Sequence, residues 1–134
     1  MVKTEHKLRV RFGETDKMTY SYYGNYAMYY EVGRTEMMRE LGFTYRKLEE
    51  SGVMLPVMEL YSHFIKPSKY DDLLTIKTRI EKKPGIRVRF DYEIYNEANE
   101  LINDGWTVLV FTDMTGKPIR PPQYFMKVFD PYFD

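Results

Sequence analysis

The stretch richest in chemistry is Phe12-Gly13-Glu14-Thr15-Asp16-Lys17-Met18, then Thr19 to Tyr23, then Gly24-Asn25-Tyr26 opening an apolar-striped segment to Leu41. Leu8, Val10 and Phe12 on one face predict a short strand running into the acidic turn, and the stripe predicts a helix beginning just after it. A carboxylate beside a helix N-terminus can act on a bound carbonyl compound. The positive end of the helix dipole polarises the carbonyl oxygen, while the carboxylate attacks the carbon or activates water. Asp16, in the acidic turn just before the helix start, is therefore a candidate hydrolytic centre that needs no Ser-His-Asp triad. Asp16 also has a plainer reading as a helix N-cap, worth about 1 kcal/mol. The residues alone favour the cap.

Other chemistries find little support. The chain has no cysteine, which removes thiolate nucleophiles, disulfides and Cys-based metal sites. His6 and His63, its two histidines, lack metal-ligand spacing, so no metal or cofactor is expected. Ser21, Ser51, Ser62 and Ser68 sit in no G-x-S-x-G elbow. Twenty basic side chains balance twenty acidic ones, so no global field favours nucleic acid or an anionic membrane. No apolar run reaches the ~18 residues of a membrane span. The charged N-terminus shows no signal peptide, and a cytoplasmic protein is expected. Thirteen tyrosines suit either a core or the wall of a pocket for something part apolar and part polar.

The elements that must position Asp16 follow from periodicity. Tyr26, Tyr29, Tyr30, Gly33, Met37 and Leu41 recur at three and four, which predicts one helix face, with Gly42 as its stop. Gly33 inside that stripe costs about 1 kcal/mol relative to Ala, so it is expected to let the helix approach a sheet closely. Thr44 predicts the cap of a shorter helix, Tyr45 to Ser51, ended by Gly52. The period then becomes two. Strands are predicted over 57–65, 74–81, 86–94 and 101–114, with a short terminal helix over 123–129. Apolar residues on both faces of 106–111 predict a central strand or one covered by a partner subunit. At 134 residues this is one α+β domain spanning 1–134, an antiparallel sheet wrapped around one long helix.

That element order, with Phe12-x-Glu14-Thr15-Asp16-x-Met18, Asn25-Tyr26, Tyr30-Glu31-x-x-Arg34-Thr35-Glu36 and Pro67-x-x-x-Asp71-Asp72, resembles the hotdog-fold acyl-CoA thioesterases. The nearest branch is the 4-hydroxybenzoyl-CoA thioesterase and YbgC-like group, and the resemblance spans residues 5 to 120. It implies a hotdog fold and Asp16 as the catalytic carboxylate, acting as general base or as nucleophile. It implies that the backbone N–H of Tyr23 binds the thioester carbonyl. It also implies a homodimer or homotetramer, with sheets paired edge to edge and acyl-CoA bound between subunits. Two departures stand out: Thr19 where many members carry Gly, and Tyr23 where many carry His.

Other branches place a catalytic carboxylate on the central helix, which makes Glu31 a second-tier catalytic candidate; pairing with Arg34 one turn on is its simpler explanation. Glu14 is expected to face solvent or to pair with a nearby Arg. Tyr22, Gly24 and Tyr26 are candidate substrate-binding positions, although core packing explains Tyr26 as well. Met54 to Met58 are a candidate pocket wall. Lys83 and Arg87, on one basic hairpin, are candidate contacts for coenzyme A phosphates, although a solvated strand face explains them equally well. Two rival functions are an acyl carrier protein thioesterase and a non-catalytic acyl-CoA-binding hotdog protein. A hotdog dehydratase would need a His in the acidic turn, and none is there.

Overall fold

Alternating apolar residues give five strands and one long striped helix, and the computed structural model describes their placement for residues 1–133. In chain order they are β1 (Val2–Arg9), α1 (Asn25–Glu40), α2 (Tyr45–Glu50), β2 (Val57–Phe64), β3 (Leu73–Ile80), β4 (Arg87–Tyr95), β5 (Leu101–Val110) and α3 (Gln123–Phe129). The strands form one sheet in the order β1-β3-β4-β5-β2, with antiparallel neighbours throughout. This is the expected α+β hotdog arrangement, with α1 against the sheet.

Gly33 explains how close that approach is. A methyl group there would lie 2.5 Å from Thr78 Oγ1 and 2.9 Å from Ile76 Cγ2. Tyr30, Met37 and Met38 of α1 are fully buried against Ile76, Phe90, Tyr92 and Ile94 of the sheet. Tyr30 stacks on Tyr92 at 4.3 Å between ring centres. At the far end, Phe125 and Phe129 of α3 pack with Phe43 and Phe111 to close the core. The expected caps form: Thr44 Oγ1 accepts from Lys47 N at 3.1 Å, and Gly42 takes φ +96°. Among the described residues, no helix is long and apolar enough to cross a membrane.

Two element boundaries differ from expectation. β1 ends at Arg9 instead of running through Phe12, which sits in a single 3-10 turn and is 76% exposed. The inward alternation continues to Val10 and stops there, because Val10 already pairs with the 71–72 loop and not with a strand. β5 ends at Val110, beyond which Thr112 only bridges Met54 and Pro118. β2 lies at the sheet edge, so its alternation buries neither face fully. Val57, Met58, Leu60, Tyr61, Phe64 and Ile65 are each 42–48% exposed. β5, apolar on both faces, runs between β4 and β2.

Candidate active site

The acidic turn does not feed directly into α1. Asp16 N donates to Tyr20 O at 2.9 Å and Thr19 N donates to Asp16 O at 2.9 Å, so the chain reverses over these five residues. Thr19 closes the reversal with φ +68°. The returning strand is pinned on both sides: Ser21 N donates to Ser68 O at 2.7 Å, and Tyr22 N to Glu14 O at 2.8 Å. Asp16 Oδ1 accepts from Met18 N at 2.9 Å, a local turn bond, and Oδ2 has no protein donor among the described residues. Gly24, not Asp16, occupies the N-cap position of α1. The cap reading of Asp16 therefore fails, because eight residues of reversal separate it from the helix.

The reversal returns the helix start to the carboxylate. Asn25 N donates to Tyr22 O at 2.9 Å and Tyr26 N to Tyr23 O at 3.2 Å, so these two amides are occupied. The N–H groups of Tyr23 and Gly24 have no protein acceptor among the described residues. Asp16 and Tyr23 line one cleft of about 290 Å³, with Met18, Tyr26, Phe64 and Ile65 among its other walls. Asp16 and Tyr23 thus share a mostly apolar cleft, and the two unspent amides of Tyr23 and Gly24 lie at the positive end of a 16-residue helix. That pairing can polarise a carbonyl and deliver a base or nucleophile to its carbon.

A sequence model of the thioesterase superfamily matches residues 18–103. This chain belongs to the thioesterase superfamily. The putative acyl-CoA thioesterase YneP of Bacillus subtilis (strain 168) is 38% identical to this thioesterase over 98 residues, 73% of this chain and 71% of that protein. The acyl-CoA thioester hydrolase YbgC of Escherichia coli O6:H1 is 30% identical over 123 residues, 91% of this chain and 92% of YbgC. Among solved structures, the DHNA-CoA thioesterase of Staphylococcus aureus superposes with a TM-score of 0.91 at 37% identity, covering 98% of this chain and 89% of that one.

In this thioesterase the remaining candidates separate. Tyr26 lines the cleft, its ring in edge contact with Phe64 at 5.1 Å between ring centres, while its hydroxyl meets Ser68 Oγ at 2.9 Å in the interior. It is both core and wall. Tyr22 stays outside the cleft: its ring covers Gly24, where a methyl group would lie 2.7 Å from Cε2. Glu31 is exposed on α1 and away from the Asp16 cleft, and among the described residues it forms no ion pair with Arg34. Arg34 instead turns inward, only 7% exposed, and its Nε donates to Tyr45 OH at 3.1 Å. The helical spacing that suggested a Glu31–Arg34 pair is overridden by the burial of the guanidinium beneath α2.

Lys83 and Arg87 do not join Asp16 within one protomer. Arg87 pairs with Val110, whereas Phe64, at the cleft, lies on the row through Asn103 and Ile94. Seven residues of β4 separate the two rows, about 23 Å. Lys83 is paired with Asp130 Oδ1 at 2.7 Å. Met54 belongs to a different cavity of about 190 Å³ with Tyr45 and Leu48, since β2 runs from there toward the cleft. Sequence reasoning missed Phe64, Ile65 and Lys66 as cleft residues. No local signal marks them, because they reach Asp16 through tertiary pairing: β2 pairs with β5, and the segment after it is held to the acidic turn by the Ser21–Ser68 bond and the Tyr20–Lys69 bridge.

Glu14 is neither solvent-facing nor merely an arginine partner. Its side chain is 11% exposed; Oε1 accepts from Arg11 N at 2.9 Å and from Tyr29 OH at 3.0 Å, and Oε2 from Arg11 Nε at 3.1 Å. Ser21 Oγ lies 2.7 Å from Tyr29 OH, and because that phenol donates to Glu14, Ser21 is its donor. Burial, then the charge and hydrogen bond of Glu14, push the Tyr29 phenol well above its ordinary value. Among the described residues no cluster of His, Asp or Glu could hold a metal ion.

Proposed function

We propose that this thioesterase hydrolyses an acyl-CoA to the free acid and coenzyme A, with Asp16 as the reacting carboxylate and the N–H groups of Tyr23 and Gly24 as donors to the thioester oxygen. The observation that carries the reading is an Asp16 Oδ2 without a protein donor in the same cleft as Tyr23, whose N–H, like that of Gly24 next to it, has no protein acceptor among the described residues. The carbonyl oxygen sits on the amides, and charge developing on it as the carbon becomes tetrahedral is stabilised by the helix N-terminus. With Asp16 as base, water loses a proton to the carboxylate as its oxygen bonds to carbon; the C–S bond then breaks and the departing thiolate takes that proton. With Asp16 as nucleophile, the same carboxylate bonds to carbon, expels the thiolate and yields a mixed anhydride that water opens. Both routes need the ionised carboxylate and the same two amides.

The acyl-CoA assignment is supported by the likeness to YbgC, an acyl-CoA thioester hydrolase whose length this chain covers almost fully. A homodimer completes the proposal. Edge strand β2 carries a row of unpaired backbone groups and half-exposed apolar side chains, and Phe64 and Ile65 at its end also line the cleft. A second copy paired along β2 would close the open side of the site.

The test is free-thiol release from benzoyl-, 4-hydroxybenzoyl-, DHNA-, short- and long-chain acyl-CoAs, wild type beside Asp16→Asn, with one acyl carrier protein substrate as a further arm. Asn keeps the oxygen that accepts from Met18 N, so the turn survives and only the base or nucleophile is lost. Turnover is expected to fall by about 10²–10⁴-fold. Hydrolysis by Asp16→Asn at the wild-type rate would overturn the assignment.

A further inference from the structure

Glu14 belongs to no part of the chemistry above, yet its side chain is only 11% exposed. Its backbone and side chain hold α1 at two points. Glu14 O accepts from Asn25 Nδ2 at 2.6 Å, and Glu14 Oε1 accepts from Tyr29 OH at 3.0 Å. Asn25 and Tyr29 are four residues apart on one helix face, about 6 Å along the axis. A single attachment would let the helix start pivot; two attachments from one residue fix both its height and its tilt. The same residue leads, two positions later, to Asp16, and its carbonyl also accepts from Tyr22 N, next to the free amide of Tyr23. The ion pair with Arg11 does not account for the burial, because the Arg11 side chain is 79% exposed and such pairs are worth little.

We infer that Glu14, acting through Tyr29, is a positioning residue that sets the spacing between the Asp16 carboxylate and the amides at the start of α1. The inference rests on the reaction proposed at Asp16. Catalytic geometry is demanding enough that a displacement of about 1 Å costs roughly 10²-fold in rate. Loosening the side-chain attachment should therefore lower kcat far more than it weakens substrate binding.

The experiment compares wild type, Asp16→Asn, Glu14→Ala, Glu14→Gln, Tyr29→Phe and the Glu14→Ala/Tyr29→Phe double variant. Each is characterised by steady-state kinetics on the best acyl-CoA and by urea unfolding. Glu14→Ala is expected to lose about 10²-fold in kcat with KM within about threefold. Glu14→Gln retains an oxygen for both Arg11 N and Tyr29 OH and is expected to recover most of kcat. Tyr29→Phe is expected to lose kcat in the same way, and the double variant to be no worse than Glu14→Ala, since both changes cut one connection. Loss of stability in Glu14→Ala with kcat per folded molecule unchanged would overturn the inference. So would additive losses in the double variant, or a Gln variant as impaired as Ala. If Glu14→Ala does not fold, Tyr29→Phe and Glu14→Gln decide the matter: the inference stands if Phe loses kcat while Gln keeps it, and falls otherwise. Failure of the underlying reaction has a different signature, full activity in Asp16→Asn.

Discussion

Thr19 carries φ +68° in the turn that presents Asp16, a conformation in which its Cβ crowds the following carbonyl. The strain for a β-branched residue is about 1–2 kcal/mol, and Gly returns part of the gain through its greater freedom when unfolded. Thr19→Gly is therefore expected to stabilise the fold by about 1 kcal/mol, read as a higher urea midpoint at constant slope. The turn bond from Thr19 N to Asp16 O is a backbone bond and survives the change. A lower midpoint would mean that the threonine side chain makes a contact worth more than the strain. The sequence exposed Thr19 as a departure, but not its sign; only the backbone angle shows that the residue sits where Gly is at ease. Glu14 teaches the converse. The expected pairing with a nearby arginine does form, to Arg11, but nothing local revealed that Tyr29, fifteen residues on, would also bond its carboxylate.

At the level of elements, α1 works because Gly33 removes the atom that would hold it off the sheet. Ala has the better helix propensity by about 1 kcal/mol, yet its methyl would press on Thr78 Oγ1 and Ile76 Cγ2 at 2.5 and 2.9 Å. Overpacking of this kind costs about 1–3 kcal/mol, so Gly33→Ala is expected to be net destabilising in chemical denaturation. Because the proposed amide donors, Tyr23 and Gly24, sit at the start of α1, the same variant should also lose turnover through a shifted helix start. A more stable Gly33→Ala would show that the helix can slide along the sheet at little cost. The stripe that predicted α1 was legible because it repeats at helical spacing. The fate of Glu31 and Arg34 on the same helix was not, since spacing alone does not say which of two neighbours α2 will cover.

For the molecule as a whole, burial governs the response to alkali. Tyr92 is pushed up from an ordinary value of 10 to about 12, first by burial and then moderated by Arg34 and Thr107. Tyr26, Tyr30 and Tyr45 are raised mainly by burial as well. The fold holds these phenols neutral, whereas the unfolded chain releases their protons near pH 10. Stability is therefore fully present below pH 10 and declines as pH rises from 10 toward 12. The Tyr92 share is on the order of 3 kcal/mol at about 1.36 kcal/mol per unit. Urea midpoints measured across this window should fall, with the tyrosinate absorbance of the buried phenols appearing only as the protein unfolds. Along β2, Leu60→Glu places a charge on the half-exposed apolar edge. On the dimer proposed through β2, it is expected to shift light scattering from dimer to monomer and to lower turnover with it. An unchanged dimer would locate the subunit contact elsewhere.

The sequence by itself determined the local terms. Periodicity of two and of three to four placed the strands and α1. Glycines and capping residues ended them, and the acidic turn made Asp16 a candidate that the family resemblance raised above a helix cap. Those features depend on neighbours within a few residues, where propensity and alternation act directly. Tertiary structure decided what shares the cleft. Phe64 and Ile65 arrive there by strand pairing, Lys83 and Arg87 are carried to the opposite end of the sheet, and β2 becomes an edge. Each of these depends on contacts between distant segments, which are selected by the packing of whole faces and leave no mark at any single position.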